Sequence, residues 1–515
     1  MRNFLLVVGC FFLSLPLLAQ TVSLNWGKTN YLDRKEEIQQ IIGADSQLIY
    51  SLHFRKSGFS NPDIYSITAY DRQTLAPFFS KPLPMPRVRN KEATFENIFL
   101  LRNRLVLIAS LSGEGSLTSS AYAFYLDSGV VSSDPPQLLI ENERPTKKRE
   151  GSFDMKLSAD TSKVLVYYQL PFFEESNERI TLAVFDDQLK PLWSKLVDLP
   201  YRDDRFTVTE TRVHNDGTVY ILGRVSEKRL NWSNENPGFK YVLLCYDHRK
   251  SALKEYNLDL APKSISGIGF QFTPENKYVA VSGFYSENSR SEEEAAGFLF
   301  LKLDHERQRV VQTATTPFDR ELLARLMTQK QVERNPELRN FQLAVVFPLE
   351  NGQTLLVAEQ ATVRQICLTD PRTGLISCSD QYNFDDLLVT KLSAEGIPAW
   401  VRSIPKRQFS TDDEGLYLSF VPLFQNGTLH LFFNNHPKNK DLPDSATPKI
   451  LTNPRKAHIA HVSVSGDGEV KKSVLKEEQN ELIFAPRLVV SHNNLSNVIV
   501  SYSARAYQLG RLQLE

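Results

Sequence analysis

Apolar and polar positions alternate with a period of two along most of this chain, in runs of six to ten residues bounded by turn formers, and that alternation is the signature of β-strands. One phrase of four runs is clearest at 153–160 (FDMKLSAD), 162–170 (SKVLVYYQL), 180–189 (ITLAVFDDQL) and 191–200 (PLWSKLVDLP). The phrase recurs at 205–260 and again at 266–316, with weaker copies on either side. The third run usually closes on an apolar residue followed by Asp, at Asp71, Asp127, Asp186, Asp247 and Asp304, and by Ser at Ser393 and Ser465. Asp and Ser at the head of a turn accept bonds from the backbone N–H groups two residues on, so the repeat carries its own turn chemistry. A four-strand unit repeated without helices between copies predicts an all-β fold, a β-propeller of four-stranded blades. The copies number eight, with seven as the alternative.

The last unit, from Ile483, has only three strands before the chain stops at Glu515. The segment Val22–Lys28 resembles the fourth strands around Trp193 and Trp400, so the N-terminal strand is expected to complete the last blade and close the ring. The tryptophans are expected to pack blade against blade. They also resemble the fourth-strand tryptophans of pyrroloquinoline-quinone-type propellers, without that family's other motifs. The resemblance implies fold and no cofactor.

Residues 1–19 read as a signal peptide: Arg2 precedes an apolar run from Phe4 to Leu18, and Ala19 is small enough for cleavage. Val7-Val8-Gly9-Cys10 is an alternative lipoprotein box, but the apolar segment before Cys10 is short. Cleavage leaves 20–515 as one propeller domain with no further apolar stretch able to span a bilayer. The expected location is the periplasm or cell surface. The chain has 60 Lys and Arg against 60 Asp and Glu, which removes the global field that would draw it to nucleic acid.

Three insertions break the repeat. Residues 317–340 place Leu322, Leu323, Leu326 and Met327 at helical spacing behind Asp319, a helix-start signal. Residues 362–384 carry Cys367 and Cys378 symmetrically about a Pro-Arg-Thr-Gly turn, so the two cysteines face each other across a hairpin and suit a disulfide. Zinc is the weaker alternative, because no second Cys or His pair lies nearby. Residues 434–456 read as an irregular loop, with Asp444-Ser445-Ala446 matching a short bacteroidete O-glycosylation sequon. Cys245 reads as a buried thiol.

First-to-second and most third-to-fourth turns are tight, whereas second-to-third and inter-blade loops are long. Binding residues are therefore expected on the face that carries the long loops. Its basic positions are Arg87, Arg89, Lys91, Arg144, Lys147, Lys148, Arg149, Arg202, Arg205, Lys406 and Arg407, with acidic Glu174, Glu175 and Glu292–Glu294. They read either as a self-compensating surface or as a basic funnel for an anionic ligand such as an acidic glycan or a carboxylate-bearing peptide, and the expected partner is an envelope protein or an acidic glycan.

The stretch from Asp386 (DLLVTKLSAEGIPAWVRSIPKRQ), followed by 429–439 (LHLFFNNHPKN), resembles uncharacterised exported bacteroidete β-propeller proteins, mainly over 266–440. That resemblance implies fold and export and no activity. Lys406, Arg407, Gln408, Asn434, Asn435, Lys438 and Asn439 fall at strand ends there, and with Lys147, Lys148 and Arg149 they are the candidate ligand-binding residues. No nucleophile, phosphate or metalloprotease motif occurs in a usable context. His458 and His461 are three apart in a strand and point to opposite faces, so no metal or cofactor site is expected. A non-catalytic binding or scaffold propeller is the favoured function, and a glycan-processing hydrolase or lyase with its site in the central funnel is the alternative.

Overall fold

The computed structural model describes residues 22–56, 63–112, 118–143, 151–171, 176–228, 238–258, 260–287, 293–369, 372–373, 375–443, 446–475, 482–488 and 497–514. Among them the strands assemble into eight antiparallel sheets of four or five strands and two small two-stranded sheets, Arg87–Val88 with Lys91–Glu92 and Glu294–Ala295 with Leu338–Arg339. Sheet 1 runs through Glu36–Ala44, Leu48–Arg55, Ile64–Asp71 and Pro77–Leu83, and sheet 2 begins at Thr94–Leu101. Sheets 3, 4 and 5 begin at Ser152–Leu157, Phe206–Val213 and Ser264–Phe272, and sheets 6 and 7 at Phe341–Pro348 and Val421–Gln425. Sheet 8 is Ile483–Phe484, Val498–Ser503 and Ala506–Leu514, completed by Val22–Trp26 from the other end of the chain. Val22 pairs with Leu514 and Trp26 with Gly510, so the strand Val22–Trp26 completes the last sheet, as its likeness to the strands around Trp193 and Trp400 predicts.

Packing follows the same order. Eight hydrophobic clusters each draw on two successive sheets, and one of them joins sheet 8 to sheet 1 through Tyr507 and Leu509 against Ile49 and Tyr70. The second and third strands are buried on both faces, as at Val164–Tyr168 and Val242–Tyr246. Their runs are therefore nearly continuous in apolar residues, while the outer strands alternate with solvent. The arrangement is all-β and propeller-like.

The turn chemistry is present as expected. Asp71 Oδ1 accepts from the backbone N–H groups of Gln73 and Thr74 at 3.1 and 2.7 Å, and Asp186 Oδ1 from that of Gln188 at 2.9 Å. Trp400 of sheet 6 donates its indole N–H to the Gly466 carbonyl at 3.0 Å in the turn of sheet 7. It lies so close to Gly468 that an added Cβ would meet the indole at 2.7 Å, and Gly468 has φ +82°, so only glycine fits. Trp193 of sheet 3 likewise stacks on His248 of sheet 4 at 5.3 Å.

The helical insertion differs from its expectation of one helix. It forms α1 (Arg320–Leu326), capped by Asp319, and α2 (Gln329–Arg334). Met327 is extended, and Thr328 opens a new capping box with Gln331, so a second start signal cuts the apolar stripe in two. Leu322 and Leu323 are buried against sheets 5 and 6. The strands Thr354–Thr369 and Ile376–Leu392 of sheet 6 run on past the sheet as a hairpin arm, with Cys367 opposite Cys378 and bonded to it.

Candidate functional site

The structure sorts the expected binding residues into three groups. Lys147, Lys148 and Arg149 lie outside the described residues, as do Arg144, Glu174, Glu175, Glu292, Asp444, Ser445 and the segment 1–19. Arg407 and Lys438 are exposed. The remaining residues form a closed interior network. Lys406 is fully buried, and its Nζ lies 2.8 Å from Glu359 Oε1, 2.8 Å from the Phe384 carbonyl and 2.9 Å from Gln408 Oε1. Gln408 Nε2 donates to the Asn434 carbonyl at 2.7 Å. Asn434 Nδ2 donates to the carbonyls of Tyr417 and Phe484 at 2.8 and 2.7 Å, reaching from sheet 7 to sheet 8. Asn439 bonds Asn435 Oδ1 and the backbone of Lys449.

Lys406, Gln408, Asn434, Asn435 and Asn439, expected at an open strand-end site, stand instead in a buried polar network bonded within the chain. The reason is that a buried ammonium demands a carboxylate, and Glu359 supplies it from a neighbouring strand. The basic funnel loses a member in the same way, and Arg202 is held by Asp204 at 2.9 Å. Arg87, Arg89, Lys91 and Arg205 remain exposed. Arg407 lines a recess of about 290 Å³ with Arg325, Asp385 and Asp386. Burial raises the pKa of both aspartates, and the Asp386 carboxylate accepts the Lys406 N–H at 3.0 Å.

A second constellation was not anticipated from sequence. A groove of about 590 Å³ lies between sheets 8 and 1 at the end that carries the long connections, lined by Asn30, Tyr31, Glu36, His53, Arg55 and Tyr507 among others. Beneath it His53 Nε2 lies 2.8 Å from Ser51 Oγ, and His53 Nδ1 lies 3.3 Å from Glu36 Oε1. The hydrogen bond to His53 holds the Glu36 carboxyl below its ordinary range. The three residue types and their order match a hydrolase triad. Ser51, however, is fully buried, does not line the groove, and is tied to Tyr70 Oη at 3.0 Å. Tyr70 Oη in turn meets Tyr507 Oη at 2.7 Å, and burial pushes the Tyr507 hydroxyl up to about 12. The chain of bonds orients His53 and Tyr507 in the groove wall without offering substrate a nucleophile. The signal that could have found it is the Ser-Leu-His spacing, since i and i+2 on a strand share a face.

A third cluster, His214, Asp216 and His305, joins the turns of sheets 4 and 5, with its ligating atoms all within 4.8 Å of one another. Only His458 and His461 were weighed from sequence, and this cluster was not singled out. The pair considered from sequence does separate: His461 bonds His430 at 2.9 Å and pairs opposite Phe432, whereas His458 pairs opposite Asn435. Cys245 is a buried free thiol, pushed up to about 12 by burial.

The hairpin arm carries the most exposed apolar surface among the described residues. Val363, Ile366, Leu368, Leu375 and Ile376 are 58, 38, 70, 71 and 69 % exposed. Residues opposite each other share a face, so Val363 and the disulfide lie on one side and Ile366 and Leu368 on the other. Beyond Ala361 and Asp380 no other described strand pairs with either edge of the arm.

No family model matches the chain, and no curated protein matches it. Among solved structures it is similar to the WD40 domain of SCAP from fission yeast, at 8 % identity over 96 % of this chain and 94 % of that one, with a TM-score of 0.37. It is similar to a protein of unknown function from Bacteroides caccae at 12 % identity, covering 70 % of this chain and 94 % of that one, with a TM-score of 0.28. Prolyl oligopeptidase B from Galerina marginata has 9 % identity, covers 87 % of this chain and 52 % of its own, and has a TM-score of 0.39. The sheet architecture stands on the strand pairing itself.

Proposed function

We propose that the mature chain is an eight-bladed propeller of the cell envelope that serves as a non-catalytic scaffold and grips a protein partner through its hairpin arm. The observation that carries this reading is the set of exposed apolar residues on both faces of a disulfide-tipped arm. Apolar side chains concentrated on a projecting element gain little from intramolecular packing and mark an interaction surface. The unpaired strand edges add a second mode of grip, since a partner strand can extend the arm through backbone hydrogen bonds. Closure of the ring by Val22–Trp26 supports the blade count, and a disulfide in an exposed hairpin fits an oxidising compartment.

The test is a photo-crosslinking amino acid placed at Leu368 and, separately, at Phe78, an exposed residue on sheet 1. In intact envelopes the label at Leu368 is expected to capture one protein stoichiometrically, and the label at Phe78 none. Equal background capture from both positions overturns the scaffold reading.

A glycan-binding reading is favoured by one separate feature, the groove between sheets 8 and 1. Tyr31 at its lip is 82 % exposed, a flat face on which a sugar ring can stack, above hydroxyl, carboxylate and guanidinium groups. Binding of envelope polysaccharide that is lost in Tyr31→Ala and kept in Leu368→Ser supports this reading in place of the first.

A further inference from the structure

We propose that His214, Asp216 and His305 bind one divalent transition-metal ion of the zinc class, stapling sheet 4 to sheet 5 on the face of the short turns. His214 and Asp216 stand in the first turn of sheet 4 (His-Asn-Asp-Gly), and His305 follows the third strand of sheet 5. Two imidazoles and a carboxylate are borderline ligands that suit zinc and its neighbours better than calcium or magnesium.

The hydrogen bonding around His214 points to a cation. Its Nε2 lies 2.9 Å from the Asn276 carbonyl, which can only accept, so Nε2 carries the proton. Its Nδ1 receives the backbone N–H of Asp216 at 3.3 Å, which requires a free lone pair, yet it also lies 2.8 Å from Asp216 Oδ1. A lone pair facing a carboxylate at that distance is repulsive unless a positive charge lies between them. A metal ion bound there takes the Nδ1 lone pair, so the 3.3 Å contact from the Asp216 N–H gives way to it. A metal ion between these atoms faces His214 Nδ1, His305 Nε2 and the Asp216 carboxylate together.

The surrounding groups match those that orient metal ligands. The Asn276 carbonyl fixes the tautomer of His214. Tyr220 Oη meets His305 Nδ1 at 2.8 Å, leaving Nε2 directed at Asp216 Oδ2 at 3.0 Å. Thr218 N–H bonds Asp216 Oδ1 at 2.9 Å. Both histidines are buried, while the Asp216 side chain is 28 % exposed and gives the ion a way in from solvent. Ligand separations of 2.8 and 3.0 Å must open to about 3.3 Å, the edge of a tetrahedron with zinc bonds near 2.0–2.1 Å. Arg249, 3.1 Å from Asp216 Oδ2 and half exposed, competes with the ion and must swing outward.

The experiment uses the purified, untagged, chelator-treated protein, with Zn²⁺ uptake measured by equilibrium dialysis and Co²⁺ substitution followed by its visible absorption. The expected result is one Zn²⁺ per chain, a rise in melting temperature on loading, and an intense Co²⁺ band that Zn²⁺ displaces. His305→Gln is expected to abolish uptake, Tyr220→Phe to weaken it about tenfold, and Arg249→Ala to tighten it. Absence of stoichiometric uptake by the wild type overturns the proposal. So does uptake that His305→Gln and Arg249→Ala both leave unchanged. Should His305→Gln fail to fold, the direction of the Arg249→Ala shift and the wild-type Co²⁺ spectrum decide.

Discussion

Two parts of sheet 6 invert the usual distribution of side chains in opposite ways. At its inner end a lysine and a glutamate are sealed from solvent, and at its far end leucine, isoleucine and valine stand in it. Each inversion is costly alone, and the comparison shows how each is tolerated. The buried charges have partners inside the chain, so the region is a structural joint among sheets 6, 7 and 8. The exposed apolar residues have none among the described residues, so the arm gains from a partner outside it. Burial with charge pairing and hydrogen bonding inside the chain points to stability, and exposure without packing points to binding.

The sharpest way to break the comparison is to remove the buried cation. Lys406→Met keeps the length of the side chain but leaves the Glu359 carboxylate without its counter-ion. Breaking a buried pair from one side costs about 3–5 kcal/mol, since the remaining charge is stranded. Denaturant unfolding is expected to show a loss of that size, and a change below about 1 kcal/mol would mean that the network is not the joint described. Lys406→Met with Glu359→Gln is expected to recover part of the loss.

The next effect is the pH dependence of the other buried polar joint, in sheet 7. Burial lowers the pKa of His461 from 6.5 to about 4, and His430 beside it is lowered as well. Because the folded pKa lies below the unfolded one, the unfolded chain binds more protons between pH 6.5 and about 4. Stability is therefore full above pH 6.5 and falls as the pH drops through that window, by on the order of 3 kcal/mol for His461. His461→Gln is expected to flatten this part of the profile of unfolding free energy against pH. An unchanged slope would remove His461 as its source.

How far the sequence reveals these regions depends on how local their causes are. The four-strand phrase, the Asp turns and the tryptophan packing are set by residues within one repeat or its neighbour, and all were legible. The disulfide was legible because a turn centred between Cys367 and Cys378 fixes their register. Lys406 was not, because its partner Glu359 lies 47 positions away, and an Ile-Pro-Lys turn reads the same whether its lysine faces solvent or a carboxylate. The split of the helical insertion was legible in principle, since Thr328 and Gln331 have capping-box spacing. His214 and His305 meet across 91 positions only because one sheet's first turn abuts the next sheet's third. The Asp-His pairs at 247–248 and 304–305, in phase with the repeat, are the one trace of that cluster in the sequence.

At the arm the expected effects on stability become small and those on binding large. Leu368→Ser with Ile376→Ser replaces exposed apolar side chains and is expected to change unfolding free energy by less than about 0.5 kcal/mol, as surface substitutions do. Partner capture from the envelope is expected to disappear. A pull-down that recovers the same protein from wild type and double variant alike would move the contact elsewhere on the molecule.

The smallest global effect is expected from the disulfide, although a chain-entropy argument gives about 3 kcal/mol for a loop of this size. That figure applies when the cross-linked segment unfolds together with the core. Beyond Asp380 the two strands of the arm pair with each other alone, and at its root the arm is held by the strand Gln408–Thr411 and the small cluster of Ala361, Phe384 and Leu418. Without the bond it is expected to open locally before the sheets do. Cys367→Ser should thus shift the global midpoint by less than about 1 °C, while the amides of Gln365–Thr369 exchange faster and trypsin gains access at Arg364. A midpoint shift of several degrees would show that the arm unfolds as one unit with the core. The stable joint and the binding arm of sheet 6 would then be energetically continuous, and substitutions at Leu368 would have to be reread as changes in stability.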